Sequence, residues 1–165
     1  PRYQGQSLQT GPVSRLWITG DYRKGISTMD RLYARVLEAK KTADLMREWA
    51  HKLEPGKPIY NDHKPLRNAQ GIGLFEAMRG ALGHWVEIEN YRVKKYQVIT
   101  PSAWNMSPKD DDEQMGAVEQ ALIGTPVADT ENPIEVGRVA RSFDPCSSCG
   151  AQVITPTGSV KEFII

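Results

Sequence analysis

Cys146 and Cys149, the two cysteines of the chain, stand three residues apart in "RSFDPCSSCGAQ", residues 141–152. Thiolates at that spacing suit a soft metal ion, which usually takes four thiolate or imidazole ligands. Cysteine supplies only half of such a set here. Four uses of the pair compete. Two incidental thiols could simply be small apolar groups in a core. A structural zinc ion would have to draw two further ligands from His51, His63 and His84, none of which has the paired spacing of a zinc motif. A redox dithiol would end a strand and open a helix, whereas "ENPIEVGRVARSF" reads as a helix that precedes the motif. The fourth use is half of a metal site completed by a second CxxC elsewhere, and it accounts for the short ligand count.

The elements that must hold this segment can be read from periodicity. A length of 165 residues, 39% apolar with four Trp, fits one domain with an ordinary core. The 21 basic and 20 acidic residues give a net charge of +1 and are interspersed, which argues against nucleic acid as the main partner. No apolar run approaches the ~18 residues of a membrane span, and "PRYQGQSLQT" lacks the layout of a signal peptide, so a soluble chain without its own export signal is expected. The sequence opens on Pro1 rather than Met, as expected of a processed chain or a portion of a longer one.

Residues 1–20 read as a loop leading into a short extended segment at "VSRLWI". Over residues 27–53, Met29, Leu32, Val36, Leu37, Ala43, Leu45, Met46, Trp49 and Leu53 recur at mostly three- and four-residue steps, predicting one buried face on a long helix. Ser27 caps its start and "EPG" ends it. Such a helix is longer than a small domain needs and is expected to pack against helices outside this chain. The polar "NDHKPLRNAQG" reads as a linker. Alternation at Trp85, Ile88, Val93, Tyr96 and Val98 predicts a β-hairpin turning near "ENY". "KDDDEQ" is a solvated loop, "GAVEQALIG" a short helix, and another helix begins near Pro133. The expected class is α+β: a long bundle helix, a small antiparallel β element and short helices.

Four blocks in the same order, "PRYQGQSLQTGP", "GLFEAMRGALGHW", "YQVITPSAWNMSP" and "DPCSSC", cover nearly the whole chain. With "VEQALIGTPVADTENPIEVGRVARSFDPC" leading into the last, they resemble the C-terminal part of the large, catalytic subunit of nickel–iron hydrogenases. The resemblance implies reversible heterolytic cleavage of dihydrogen at a Ni–Fe centre. There, nickel is held by four thiolates from two CxxC motifs, and the iron carries cyanide and carbon monoxide. By motif, Cys146 is a terminal nickel ligand that can also accept a proton, and Cys149 bridges both metals. Arg79, in "EAMRG", matches an arginine placed over the site, Asp144 the aspartate that pairs with it, and Pro101 and Ser102 the pair around an iron-bound cyanide. Taken without the resemblance, Arg79 would read as a surface arginine in a salt bridge and Ser102 as a turn residue. His84, in "GHW", is expected to be a structural core histidine.

Two positions depart from the family pattern. Met78 stands where proline usually precedes the arginine, and Gln152 stands where the family has His or Arg. That His helps hold a magnesium ion together with a backbone carbonyl that maps near Val98, and an amide oxygen is an acceptable hard ligand in its place. Residues 153–165, "VITPTGSVKEFII", have the place and approximate size of the C-terminal extension that a maturation peptidase removes after metal insertion, the alternative being an apolar strand packed on the body. The implied partners are an iron–sulfur small subunit that takes the electrons and the N-terminal part of the large subunit carrying the other CxxC. Location would then be cytoplasmic, or beyond the membrane with a signal-bearing small subunit. The rival function is a non-catalytic hydrogenase-like assembly or metal-binding module, inactive without the other CxxC.

Overall fold

The computed structural model describes residues 1–146, 150–154, 158 and 160–164. The chain opens with α1, Pro12–Thr19, in place of the extended segment expected there. Pro12 occupies the first turn, where a missing N–H costs nothing and its φ already suits a helix. Gly20, at φ 85, ends α1 in the left-handed region. Val13 and Leu16, three residues apart, then share the buried face of α1.

The long helix α2 runs Thr28–His51, 24 residues or about 36 Å. Its start is the expected one. The Ser27 side chain accepts from the Asp30 backbone N–H at 3.2 Å while Asp30 Oδ2 accepts from the Ser27 backbone N–H at 2.8 Å, a reciprocal capping box. Its end comes at His51, two residues before Leu53. Its buried side differs from the apolar stripe. Arg31 and Ala34 are buried and Leu37 packs beside them, whereas Met29, Val36, Met46 and Trp49 are each more than half exposed. The face turned towards α1 is thus narrow: Ala34 and Leu37 close on Val13, Leu16 and Tyr22. The wider stripe remains uncovered within this chain.

Strands β1 (Ala69–Ala77), β2 (Gly80–Glu89) and β3 (Arg92–Ile99) form an antiparallel sheet in the order β1-β2-β3. The expected hairpin is β2–β3, and its turn holds Asn90 and Tyr91 at φ 50 and 62. Strand β1 takes over the end of the stretch read as a linker and the start of the second block. Its glycines, Gly71 and Gly73, interrupt the alternation that would have disclosed it. Pairing of Ala77 with Gly80 leaves Met78 and Arg79 as the tight turn between β1 and β2.

Three short helices follow: α3 (Pro101–Asn105), capped by Thr100, α4 (Ala117–Leu122) and α5 (Ile134–Ser142). The last two stand where the sequence placed them. Beyond α5, β4 (Gly150–Ile154) pairs antiparallel with β5 (Val160–Ile164).

The accessible surface, 12400 Å², is well above the about 8,200 Å² of a compact monomer of this mass. Large apolar side chains contribute to it. Ile72, Leu74, Phe75, Val93 and Tyr96 on the sheet are more than half exposed, like the stripe of α2. Among the described residues, no helix is long and apolar enough to cross a membrane.

Candidate metal centre

The cysteine segment is aimed by the end of α5. Helix α5 runs out through Phe143 into Asp144, whose φ of 53 lies in the left-handed region, while the Asp144 N–H still donates to Arg141 O at 3.0 Å. This turns the chain sharply away from the helix, and two residues later the backbone N–H of Cys146 donates to Ser102 Oγ at 3.1 Å. Ser102 sits in the first turn of α3, next to buried Pro101. Its hydroxyl oxygen accepts from the cysteine segment, so its proton remains free for another acceptor. The Cys146 thiol is free and exposed.

Arg79 reaches the same place from the β1–β2 turn. Its Nε lies 3.5 Å from Asp144 Oδ1, an ion pair between partly exposed side chains. That Nε is itself buried and has no hydrogen-bond partner. The turn is seated closely on the segment before α1. A Cβ on Gly80, at φ 134, would lie 2.3 Å from Thr10 Oγ1, and a Cβ on Gly11, at φ 117, would lie 3.0 Å from Arg79 O. Thr10 is in turn gripped by Asn105 of α3, which is only 2% exposed. Asn105 Oδ1 accepts from Thr10 N–H at 2.9 Å, and its Nδ2 donates to Thr10 O at 3.1 Å. The connections close a ring: Ser102 to Cys146, Asp144 to Arg79, the turn to Thr10 and Gly11, and Thr10 back to α3.

Helix α2 anchors the cysteine side of the ring. The Arg31 guanidinium lies over the Phe143 ring, 3.8 Å from its centre, and donates to Gln9 Oε1 at 3.0 Å. Burial pulls the Arg31 pKa down to about 10, with Asp30 acting in the opposite direction. Arg35 Nη2 donates to Ser142 O at 3.0 Å, satisfying a carbonyl at the last turn of α5. Thr10, Gly11, Arg31, Arg35 and Asn105 were not recognised from the sequence as parts of this site. The one available signal was charge: Arg31 and Arg35 interrupt the apolar spacing of α2 at positions four residues apart, hence on one face.

Of the residues expected at the site, Arg79, Asp144, Ser102, Pro101 and Cys146 come together. Cys149 lies outside the described residues. Val98 is on β3 opposite His84, and Gln152 is on β4 opposite Glu162, so the two expected magnesium ligands belong to separate sheets. His84 is not a core histidine. It is half-buried on β2, with Nδ1 hydrogen-bonded to the Tyr96 hydroxyl and the two ring centroids 5.6 Å apart. Its pairing with Tyr96 across the sheet, on a face left open in this chain, keeps it out of the core.

Among the described residues, no group of three or more His, Cys, Asp or Glu is placed to hold a metal ion. The described residues supply one thiol, Cys146, a soft donor of the kind that suits nickel or iron. The exposed Cys146 thiol stands two residues beyond Asp144, the partner of Arg79 Nε, and its backbone is held by Ser102 Oγ.

Comparison with known proteins identifies the family. The family model described as nickel-dependent hydrogenase matches residues 18–152. The chain is 33% identical over 93% of its length to the periplasmic [NiFeSe] hydrogenase large subunit of Desulfomicrobium baculatum, spanning 35% of that protein. It is 32% identical over 96% of its length to the uptake hydrogenase large subunit of Bradyrhizobium diazoefficiens, spanning 32% of it. Among solved structures, the reduced Ni-Fe-Se hydrogenase of Desulfovibrio vulgaris Hildenborough superposes with a TM-score of 0.82 at 34% identity, covering 88% of this chain and 36% of that one. The chain belongs to the nickel-dependent hydrogenase family. It corresponds to a C-terminal portion of the large subunits it matches and spans about a third of their length.

Proposed function

We propose that the chain forms the C-terminal half of a nickel–iron hydrogenase active site, working with a large-subunit N-terminal part that brings the second CxxC. The observation that carries this reading is the ring that sets Arg79, Asp144, Ser102 and the Cys146 backbone around one point. Cys146 and Cys149 would hold the Ni–Fe centre, which, when bound, supplies the redox chemistry that takes up two electrons from dihydrogen. Soft thiolates match that role because they donate strongly over several nickel oxidation states.

The chain's own groups do the rest. The Cys146 Sγ, exposed and close to Asp144 in sequence, would hold one of the two protons released when the bound centre takes up the two electrons of dihydrogen. Arg79, paired with Asp144, offers a positive charge, and a preorganised charge acts without reorganisation at the moment of reaction. Ser102, whose O–H is not used by the cysteine segment, would donate a hydrogen bond to a cyanide carried by the iron when the centre is bound. Val98 O and Gln152 contribute to a magnesium site that is completed by residues of the N-terminal part. The uncovered apolar faces of α2 and the sheet are closed by that part and by an iron–sulfur small subunit, which carries the electrons away.

Residues 153–165 act as a maturation extension. A cut after Gln152 would separate β5 from the body and leave the first three residues of β4 free to close over the metals. Intact-mass measurement of nickel-loaded protein from its native host should then show a chain ending at Gln152, and an active, nickel-loaded chain still carrying Ile165 would instead assign the hairpin a structural role.

The decisive experiment for the whole reading is elemental analysis of the full-length large subunit purified with its partner. Nickel and iron near one each are expected, and both should be lost with hydrogen uptake in Cys149→Ser. Stoichiometric zinc without nickel refutes the catalytic reading in favour of a metal-binding module.

A further inference from the structure

Arg15, on α1, makes more polar contacts than the ring itself requires. Its Nε and Nη2 grip both carboxylate oxygens of Glu38 on α2 at 2.6 Å each. Its Nη1 donates to Glu76 Oε2 at 2.8 Å and to Ala77 O at 2.9 Å, and its Nη2 donates to Met78 O at 2.9 Å. One guanidinium thus ties two helices to the last strand residues and the first turn residue before Arg79. The planar fork of arginine suits this task, since a lysine could reach one of these acceptors at a time. Burial works against the charge of Arg15, but its bonds to Glu38 and Glu76 outweigh it and raise the pKa, so the group stays charged. Met78 gives its turn no proline-like restriction of φ, and its side chain is 70% exposed, so the Arg15 bond to Met78 O is a restraint that the Met78 side chain does not supply.

We infer that Arg15 is a positioning residue for Arg79: by clamping Ala77 O and Met78 O to α1 and α2, it sets where the Arg79 guanidinium stands against Asp144. This rests on the reading of Arg79 given above. Without the clamp the turn keeps its close seat on Thr10 and Gly11 but can rock about it, and displacement of about 1 Å at a reacting centre can cost on the order of 100-fold in rate.

The test uses the full-length large subunit in complex with its small subunit, in the variants Arg15→Met, Arg79→Lys and both together. Arg15→Met is expected to keep nickel and iron, to exchange the amides of residues 78–80 with deuterium about tenfold faster, and to slow hydrogen uptake about 10- to 100-fold. The double variant should be no slower than Arg79→Lys alone, because the clamp acts only through Arg79. A merely structural arginine would give additive losses. Additive slowing with metals retained, or unchanged amide exchange at the turn, overturns the inference. If Arg15→Met does not load metal, Glu38→Gln serves instead: it breaks the ion pair while leaving the guanidinium, and the same exchange and coupling criteria apply to it. Full turnover by metal-loaded Arg79→Lys overturns the site reading, and this inference with it, whereas a slow Arg79→Lys with additive Arg15→Met overturns the positioning role alone.

Discussion

The backbone N–H of Cys146 donates to the hydroxyl oxygen of Ser102 across 3.1 Å, joining two residues 44 positions apart. One atom thereby serves two purposes. It fixes the cysteine segment, and because the oxygen is the acceptor its own O–H proton is left for another partner.

Ser102→Ala removes both functions. The lost bond is worth about 1 kcal/mol, since Cys146 is exposed and water can replace part of it. The expected result is slower hydrogen uptake with modest loss of nickel, together with a shift of the infrared cyanide bands. Ser102→Thr, which keeps the hydroxyl, should restore both. Unchanged cyanide bands in the alanine variant would remove the assigned contact.

Arg79 pairs with Asp144 through Nε at 3.5 Å, leaving the outer guanidinium nitrogens to act elsewhere. Arg79→Lys keeps the charge and loses the fork. Metals should stay bound while turnover falls about 150-fold, equivalent to roughly 3 kcal/mol of transition-state stabilisation. Asp144→Asn isolates the charge of the partner, because asparagine tolerates the left-handed φ of 53 at this position. It should leave the thermal midpoint nearly unchanged and slow uptake, and a large drop in the midpoint would reassign Asp144 to stability.

Gly80 is required by both its backbone and its neighbour. Its φ of 134 is strained for any other residue, and a Cβ would press on Thr10 at 2.3 Å. Gly80→Ala should therefore lift the β1–β2 turn from Thr10, lower the thermal midpoint of the complex and slow hydrogen uptake. A normal midpoint with normal uptake would show that the close seat has no part in placing Arg79.

Asp30 ties the start of α2 to pH. Its hydrogen bonds from the side chains of Ser27 and Tyr22 and from the Ser27 backbone hold its pKa below the ordinary carboxylate value, and the same contact pushes Tyr22 up to about 12. For a carboxylate lowered on folding, the unfolded chain takes up the proton first. The cap's contribution is complete above the unfolded pKa and fades as pH falls through the folded one. Amide exchange at residues 28–31 of the intact complex should accelerate as pH drops below the usual carboxylate range, beyond what the intrinsic rate predicts. In Asp30→Ala this extra acceleration should be absent.

Much that is local was legible in the sequence. Ser27 marks the start of α2, the alternation from Trp85 to Val98 specifies paired strands, and Pro133 marks the start of α5, because each depends on neighbours within a few residues. The motif blocks carried the identities of Arg79, Pro101, Ser102, Asp144 and Cys146. Where they meet was not written in any one segment. Asn105 holding Thr10, Arg15 clamping Met78 O and Arg31 lying over Phe143 connect residues from 63 to 112 positions apart or between separate elements, and no periodicity reports such pairs. The helix α1 was missed because eight residues give too few turns for a 3.6-residue period to show, and β1 because its glycines interrupt the alternation. The stripe on α2 carried a third lesson. Its spacing truly marked an apolar face, but which residues are covered depends on what packs there, and within this chain α1 covers only the row through Ala34. Sequence therefore determined the chemistry on offer and the local elements, while the tertiary structure decided which groups converge, since convergence is set by contacts made across the fold rather than along the chain.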